Sequence, residues 1–259
     1  ELSVLLAYAK IDLHEKILAS DLPDDPRLDE ELLRYFPTAL QEKYPEALRG
    51  HRLRREITAL QVVNSLVNRC GPTFVHTVAQ RTGASAAAIA QAFTVVRDAW
   101  KLRELWADVE ALDPALKAAA QIRMLIASQR FVLRGVQWIL RRLPQPLDTT
   151  AATTQLGRAV AELGDLQADL VGEAEGAALG ERAAALEAMG APADLARRAA
   201  ALETLSAAGD LALAAEANSC SIGTTARLYF RLGERLSLAL LANAAHKLPR
   251  DGLWPSQAA

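Results

Sequence analysis

Residues 51–71 read HRLRREITALQVVNSLVNRCG, and their apolar residues recur three and four positions apart. This spacing predicts an amphipathic α-helix rather than a strand, in which apolar and polar residues would alternate. The apolar face consists of Leu53, Ile57, Leu60, Val63 and Val67. The Gly71-Pro72 pair then ends the helix, because proline cannot continue it. The same spacing recurs along the chain and alternating runs are missing, so we predict an all-α multi-helix bundle.

Two aspartate-proline pairs predict further helix boundaries. The segment SDLPDDP (20–26) ends the first helix, and Asp25-Pro26 is typical of an N-cap followed by proline at the first helical position. Asp113-Pro114 repeats this arrangement, so we expect a second helix to begin there.

The segment PQPLDT (144–149) is the predicted linker between two packed helical subdomains, residues 1–143 and residues 150–259. The composition also changes there. Residues 1–143 carry 20 Lys and Arg against 17 Asp and Glu, whereas residues 144–259 carry 9 against 14. The second subdomain is also rich in alanine, which favours helix formation.

The motifs indicate no catalytic, nucleotide-binding or metal-binding residue in the chain. No glycine is followed by another two positions later, so neither a dinucleotide-binding loop nor a P-loop can be built. The four histidines are scattered, and Cys70 and Cys220 lack the spacing of zinc ligands. We expect Cys70 to be a small packing residue, because the C-terminal end of a helix disfavours a thiolate.

Charge and hydropathy restrict the location and the partners of the chain. A net charge of −2 argues against nucleic acid, whose binding proteins usually carry a basic excess. Two cysteines indicate a reducing cytoplasm, and the apolar runs are too short to span a membrane. The chain starts at Glu1 inside a helical pattern and stops at LWPSQAA, so we expect it to be a segment of a longer protein.

Arg49, Arg52, Arg54 and Arg55 crowd the N-terminal end of the helix in residues 51–71, where the helix dipole repels cations. This cost predicts partners outside the helix, because arginine pairs strongly with carboxylates. The candidates are the acidic residues of DDPRLDEE (24–31) or a carboxylate surface on another domain. An anionic-effector site near Arg52 and Arg55 is the alternative.

A second basic surface is predicted on the helix that precedes the linker. At ~100° per residue, four of its arginines fall within roughly 20° of one line. They are Arg123, Arg130, Arg134 and Arg141. A comparable acidic stripe in the second subdomain consists of Glu162, Asp165, Asp169 and Glu173. We predict that the stripes face one another, or oppositely charged surfaces elsewhere in the protein; solvated faces are the alternative, since exposed pairs contribute only ~0–1 kcal/mol.

Residues 78–93 and 214–229 are weakly similar, and each predicts a helix, a short turn and a second helix with a serine at its start. A helix-turn-helix module that binds nucleic acid is therefore an alternative function. Its candidate contacts are Arg227, Arg231 and Arg235, which lie on one face at i,i+4 spacing.

Nine short stretches together resemble a known family. They are ELSVLLAYAKI (1–11), SDLPDDPRLDEELLRYFP (20–37), HRLRREI (51–57), LVNRCGPTFV (66–75), TGA (82–84), LW (105–106), EALD (110–113), LYFRLGERLSL (228–238) and LPRDGLW (248–254). They resemble the region that follows the catalytic domain in the large, multidomain bacterial NAD-dependent glutamate dehydrogenases. The match is dense and in order over the first 113 residues and slight over residues 144–225.

The resemblance implies a parent enzyme that oxidises L-glutamate to 2-oxoglutarate and ammonia while reducing NAD. In that family the glutamate-binding and nicotinamide-binding residues lie upstream of ELSVLLAY, so the resemblance assigns no catalytic residue and no cofactor to this chain. We therefore expect a non-catalytic C-terminal domain that supports the catalytic domain, assembly or regulation. Its partners would be the upstream catalytic domain and the other subunits of a homo-oligomer.

Overall fold

The computed structural model describes residues 1–112, 118–170, 173–238, 240, 241 and 244. Within these residues the chain forms fourteen α-helices and no strand, which confirms the predicted all-α class. The helices are α1 (Leu2–Leu18), α2 (Asp29–Arg34), α3 (Thr38–Lys43), α4 (Pro45–Arg49), α5 (Arg54–Cys70), α6 (Phe74–Thr82), α7 (Ala86–Ala99), α8 (Leu102–Ala111), α9 (Ala118–Arg142), α10 (Thr149–Leu170), α11 (Glu173–Glu187), α12 (Ala193–Leu205), α13 (Ala208–Ala217) and α14 (Ile222–Arg235). Two short 3₁₀ helices, Leu22–Asp24 and Pro26–Leu28, connect α1 to α2.

The residues at the helix ends explain several boundaries. Helix α5 ends at Cys70, and the next residue, Gly71, has a φ of 89°, in the region that favours glycine. The Asp25 side chain accepts a hydrogen bond from the backbone N–H of Arg27, so it caps the 3₁₀ turn that leads into α2. Ser85 and Ser221 cap α7 and α14 in the same way, as the sequence pattern predicts. The predicted cap at Asp113-Pro114 lies outside the described residues.

Helix α7 lies at the centre of the fold. It packs against α9 and α10, and also against α1, α5, α6 and α8. Its side chains Ile89, Phe93 and Val96 are fully buried. Helix α9 approaches it closely, because a Cβ atom on Gly135 would lie 3.0 Å from a methyl group of Val96. The glycine therefore lets the two helices pack with little space between their backbones.

One hydrophobic core contains residues from both predicted subdomains. Phe131 on α9, Leu156 on α10 and Leu211 on α13 belong to the same buried cluster. The predicted linker also packs against the rest of the chain, because Leu147 is buried and the Thr149 hydroxyl donates a hydrogen bond to Asp25 Oδ2. The division of the chain into two subdomains at residues 144–149 stays a prediction.

None of the helices, as far as the structure describes them, has the length and hydropathy that a membrane-spanning helix requires.

Candidate functional site

Arginines at the end of α4 and the start of α5 contact acidic residues within the chain. Arg54 Nη2 donates to Asp24 Oδ1 at 2.6 Å, and Arg55 Nη1 pairs with the other oxygen of the same carboxylate. Arg49 Nε lies 3.4 Å from Asp29 Oδ2. Both aspartates belong to the acidic segment 24–31. Arg54 and Arg55 therefore bind the turn after α1, and Arg49 binds the start of α2.

Arg55 also completes the C-terminal end of α1. Its Nη2 atom donates hydrogen bonds to the carbonyl oxygens of Leu18 at 2.9 Å and Ser20 at 3.1 Å. Leu18 is the last residue of α1 and Ser20 lies just beyond it, where the helix supplies no further backbone N–H to these carbonyls. Arg52 is solvent-exposed. Of this arginine group, Arg52 is the member that the structure leaves most open to a partner or an anionic effector.

A buried ionic cluster lies between α2 and α7, and the sequence pattern did not predict it. Arg97 is 1% exposed and Glu31 is 3% exposed, and Arg97 Nη1 lies 2.7 Å from Glu31 Oε1. Arg97 also donates to both oxygens of Asp98, from Nε at 2.6 Å and from Nη2 at 3.0 Å. Arg103 pairs with Glu31, and Arg27 Nη2 donates to Asp98 Oδ2 at 3.0 Å.

The surroundings of Arg97 keep its guanidinium charged. Burial alone lowers the pKa of Arg97, because the charged form loses its hydration. The hydrogen bond to Asp98 and the charges of Glu31 and Asp98 outweigh this effect, so the pKa lies above its ordinary value. The cluster joins α2, α7 and α8 as a structural unit, since these charges pair with one another.

The basic stripe of α9 lies on the exposed side of that helix. Arg123, Arg130, Arg134 and Arg141 are all solvent-exposed. Arg134 Nη2 donates to Glu203 Oε2 of α12 at 2.7 Å.

The predicted acidic stripe does not meet this basic stripe in the part that the structure describes. Glu162 Oε1 pairs with Arg158 on its own helix α10 at 2.9 Å, and Asp165 is exposed. The side chains of Asp169 and Glu173 lie outside the description. Helix α7 packs against both α9 and α10, so it lies between the helices that carry the two stripes.

A cleft opens beside the basic stripe, between α9, α11 and α12. It has a volume of about 310 Å³. Its charged lining consists of Arg123, Arg130, Arg134, Arg182 and Glu203. Its apolar lining includes Met124, Ala127, Ala185, Leu186, Ala199 and Leu202. Arg182 and the helix pair α11 and α12 do not belong to any sequence motif, so the sequence pattern predicts the stripe but not the cleft.

The two segments that resemble a helix-turn-helix differ in exposure. In the first, α7 is buried in the core, so it cannot enter a nucleic-acid groove. In the second, Arg227, Arg231 and Arg235 on α14 are exposed. Leu228 and Leu232 are exposed beside them, at 58% and 53%. The nucleic-acid alternative therefore rests on α14. Such an interface needs polar and basic side chains that contact phosphates and bases, whereas leucines share the exposed face of α14 with the arginines.

Helix α1 carries an exposed apolar stripe. Val4, Leu5, Tyr8 and Ile11 are 49–70% exposed and recur at helical spacing on one side of the helix. The opposite side packs into the core through Leu13 and Ile17. A helix that is apolar on both sides is typical of a helix buried between two bodies.

Groups that could perform chemistry are scarce in the described residues. Across residues 1–112, 118–170 and 173–238, no three His, Cys, Asp or Glu side chains group as metal ligands would. Burial raises the pKa of Cys70 to about 12, against a smaller opposing effect of Arg69, so the thiol stays protonated at neutral pH. Cys70 is thus a packing residue rather than a nucleophile.

The fold and these surfaces define an all-α multi-helix domain. The family described as "Glutamate dehydrogenase, C-terminal" matches residues 1–259, and the chain belongs to this family. The match confirms the resemblance seen in the sequence.

Three relatives are NAD-specific glutamate dehydrogenases. The Pseudomonas aeruginosa protein is 40% identical over 164 residues, which cover 63% of this chain and 10% of that protein. The Halomonas elongata protein is 42% identical over 142 residues, or 55% of this chain and 9% of that protein. The Mycobacterium tuberculosis protein is 31% identical over 163 residues, or 63% of this chain and 10% of that protein. The matched region is thus about a tenth of each relative.

Proposed function

We propose that the chain is a non-catalytic C-terminal helical domain of an NAD-dependent glutamate dehydrogenase. The complete enzyme would convert L-glutamate, NAD and water into 2-oxoglutarate, ammonia and NADH. Membership of the family and the three named relatives support this assignment. In this proposal the residues that bind glutamate and the nicotinamide belong to another part of the protein.

The described residues do not fit NAD. A dinucleotide is usually held where a glycine-rich loop joins a strand to the N-terminal end of a helix. None of the residues that the structure describes forms a strand from which such a loop could start. We therefore assign the cofactor to the catalytic domain and derive no step of the reaction from this chain.

The exposed stripe on α1 is the observation that carries the supporting role. Leu5 and Tyr8 are 49% and 70% exposed, and burying the rest of each side chain would contribute about 1–2 kcal/mol. Because roughly nine-tenths of each relative lies outside the matched region, a large protein surface is available to cover the stripe. We propose that the catalytic domain covers it, within a cytoplasmic homo-oligomer.

The test is a double substitution, Leu5→Asp with Tyr8→Asp, in the full-length protein. Two buried carboxylates would cost several kcal/mol, so the domain should detach from the catalytic domain. We expect glutamate-dependent NAD reduction to fall about tenfold or the oligomer to dissociate in light scattering. Both readouts are needed, because assembly and regulation are separate parts of the proposed role.

Tyr44→Asp is the matched control. Tyr44 is 47% exposed and lies between α3 and α4, away from the α1 stripe. Its substitution should leave activity and oligomer size unchanged. Normal activity and normal oligomer size in the Leu5 and Tyr8 double variant would contradict the supporting role.

A further inference from the structure

The cleft between α9, α11 and α12 has an excess of positive charge. Four guanidinium groups line it, against the single carboxylate of Glu203. That carboxylate already accepts a hydrogen bond from Arg134. Arg123 and Arg130 form no ion pair with any residue that the structure describes. The lining therefore attracts an anion that this part of the chain does not supply.

Arg182 lines the cleft with a side chain that is 37% exposed, and two of its donors lack a hydrogen bond to any described residue. Its Nε and Nη2 atoms are buried, and neither forms a hydrogen bond within the described residues. The closest approach of an acidic group is that of Glu175, whose Oε1 lies 3.9 Å from Nη2 and accepts from the Thr204 hydroxyl instead. Buried polar groups are almost always hydrogen-bonded, so this pair indicates a missing partner.

Arg97 shows which kind of partner the Nε and Nη2 atoms of an arginine bind. Nε and Nη2 of Arg97 bind the two oxygens of the Asp98 carboxylate, at 2.6 and 3.0 Å. These atoms form one edge of the planar guanidinium, and their spacing matches the two oxygens of a carboxylate or a phosphate. The corresponding edge of Arg182 is therefore suited to a bidentate oxyanion.

The apolar part of the lining restricts the ligand further. Met124, Ala127, Leu186 and Leu202 lie among the arginines. A volume of about 310 Å³ is at the lower end of the range for small-molecule sites. The cleft thus suits a small molecule with an apolar part, since a fully hydrated ion would leave this surface uncovered.

We propose that this cleft is a binding site for a small organic anion, in which Arg182 binds a carboxylate or phosphate group and the apolar lining contacts the rest of the ligand. Arg123 and Arg130 attract the anion to the cleft. This inference is independent of the role proposed for α1, because the two surfaces share no residue.

Calorimetric titration of the full-length protein tests the proposal with two probes, 3-phenylpropanoate and phenyl phosphate. We expect at least one probe to bind, and Arg182→Gln to weaken that binding about tenfold or more. Arg182→Lys keeps the charge but loses the planar fork, so it should weaken binding by about threefold or more. Arg130→Gln should weaken binding as well, and its exposed position leaves the fold intact.

The controls separate the cleft from general electrostatic attraction. Arg197→Gln removes an exposed charge from α12 outside the cleft and should change the affinity by less than about twofold. The neutral analogue 3-phenylpropanol should bind far more weakly than the anions. Tighter binding of phenyl phosphate would identify the ligand as a phosphate, and tighter binding of 3-phenylpropanoate would identify it as a carboxylate. Failure of both anions to bind, or equal binding by wild type and Arg182→Gln, would overturn the proposal.

Discussion

Cys70 and Cys220 lie in opposite surroundings. Cys70 is 5% exposed and belongs to the hydrophobic core, whereas Cys220 is exposed in the turn before α14. Burial raises the pKa of Cys70 to about 12 from an ordinary value of 9.0, so unfolding makes this thiol more acidic. Below pH 9 the thiol is neutral in both states, and its contribution to the free energy of unfolding is fully present. As the pH rises from 9 towards 12, the thiol ionises in the unfolded chain first, and that contribution is lost.

We expect the stability advantage of wild type over Cys70→Ala to shrink in alkali. At pH 10 the ionised thiol stabilises the unfolded wild-type chain by about 1.4 kcal/mol, and the alanine variant lacks this effect. Urea unfolding of both proteins at pH 7 and pH 10 measures the change. Cys220→Ala should follow wild type at both values, because it keeps the buried Cys70 thiol. A constant difference between wild type and Cys70→Ala would show that the buried thiol does not couple folding to pH.

The ion pair of Arg97 could not be predicted from the sequence pattern. Arg97 follows the apolar run of α7, and nothing near it in sequence predicts that Glu31 lies 2.7 Å away. Glu31 in turn belongs to an acidic segment in which Asp24 and Asp29 bind other arginines. The sequence predicts this segment as a partner for the arginines at and just before the start of α5, but the choice among its carboxylates depends on how distant helices pack.

At the scale of elements, α9 and α13 pack closely at a glycine. A Cβ atom on Gly209 would lie 2.7 Å from ring atoms of Trp138. The indole cannot move away easily, because its Nε1 donates to Asp210 Oδ1 at 2.9 Å. We expect Gly209→Ala to destabilise the chain by about 1–3 kcal/mol, as other substitutions that overfill a packed contact do. Chemical denaturation measures this loss.

Gly164→Ala is the matched control for that substitution. Gly164 also lies within a helix, α10, but a Cβ atom there would meet no other atom within 4 Å. Alanine should therefore stabilise the chain by about 0.5–1 kcal/mol, because glycine loses more backbone entropy in a helix. Equal effects at both positions would mean that helix propensity, rather than the contact with Trp138, determines the result.

Helix type and helix ends follow from local sequence, and helix pairing does not. The glycine at position 71 and the serines at positions 85 and 221 act within one turn, so the pattern predicts their boundaries correctly. The predicted pairing of α9 with α10 depends on what lies between them. The structure places Arg134 against Glu203 instead, because α12 rather than α10 lies along the basic side of α9.

At the scale of the whole molecule, buried contacts join the two predicted subdomains. The Trp100 indole donates to the carbonyl oxygen of Leu205 at 3.0 Å, across the boundary at residues 144–149. Helix α7 before the boundary packs along α10 after it. Two subdomains with separate cores would each bury their own apolar residues, whereas here α10 completes the surroundings of α7. This arrangement favours folding as one cooperative unit.

We therefore expect one unfolding transition, which a core substitution in either half shifts as a whole. Leu66 on α5 and Leu156 on α10 are both fully buried, so Leu66→Ala and Leu156→Ala should each cost about 2–5 kcal/mol. Far-ultraviolet circular dichroism and tryptophan fluorescence should report the same midpoint for each variant. Leu60→Ala, at a 37% exposed position on α5, should cost much less and serves as the control. Two separate transitions, each sensitive to only one of the core substitutions, would show that the halves fold independently despite their shared core.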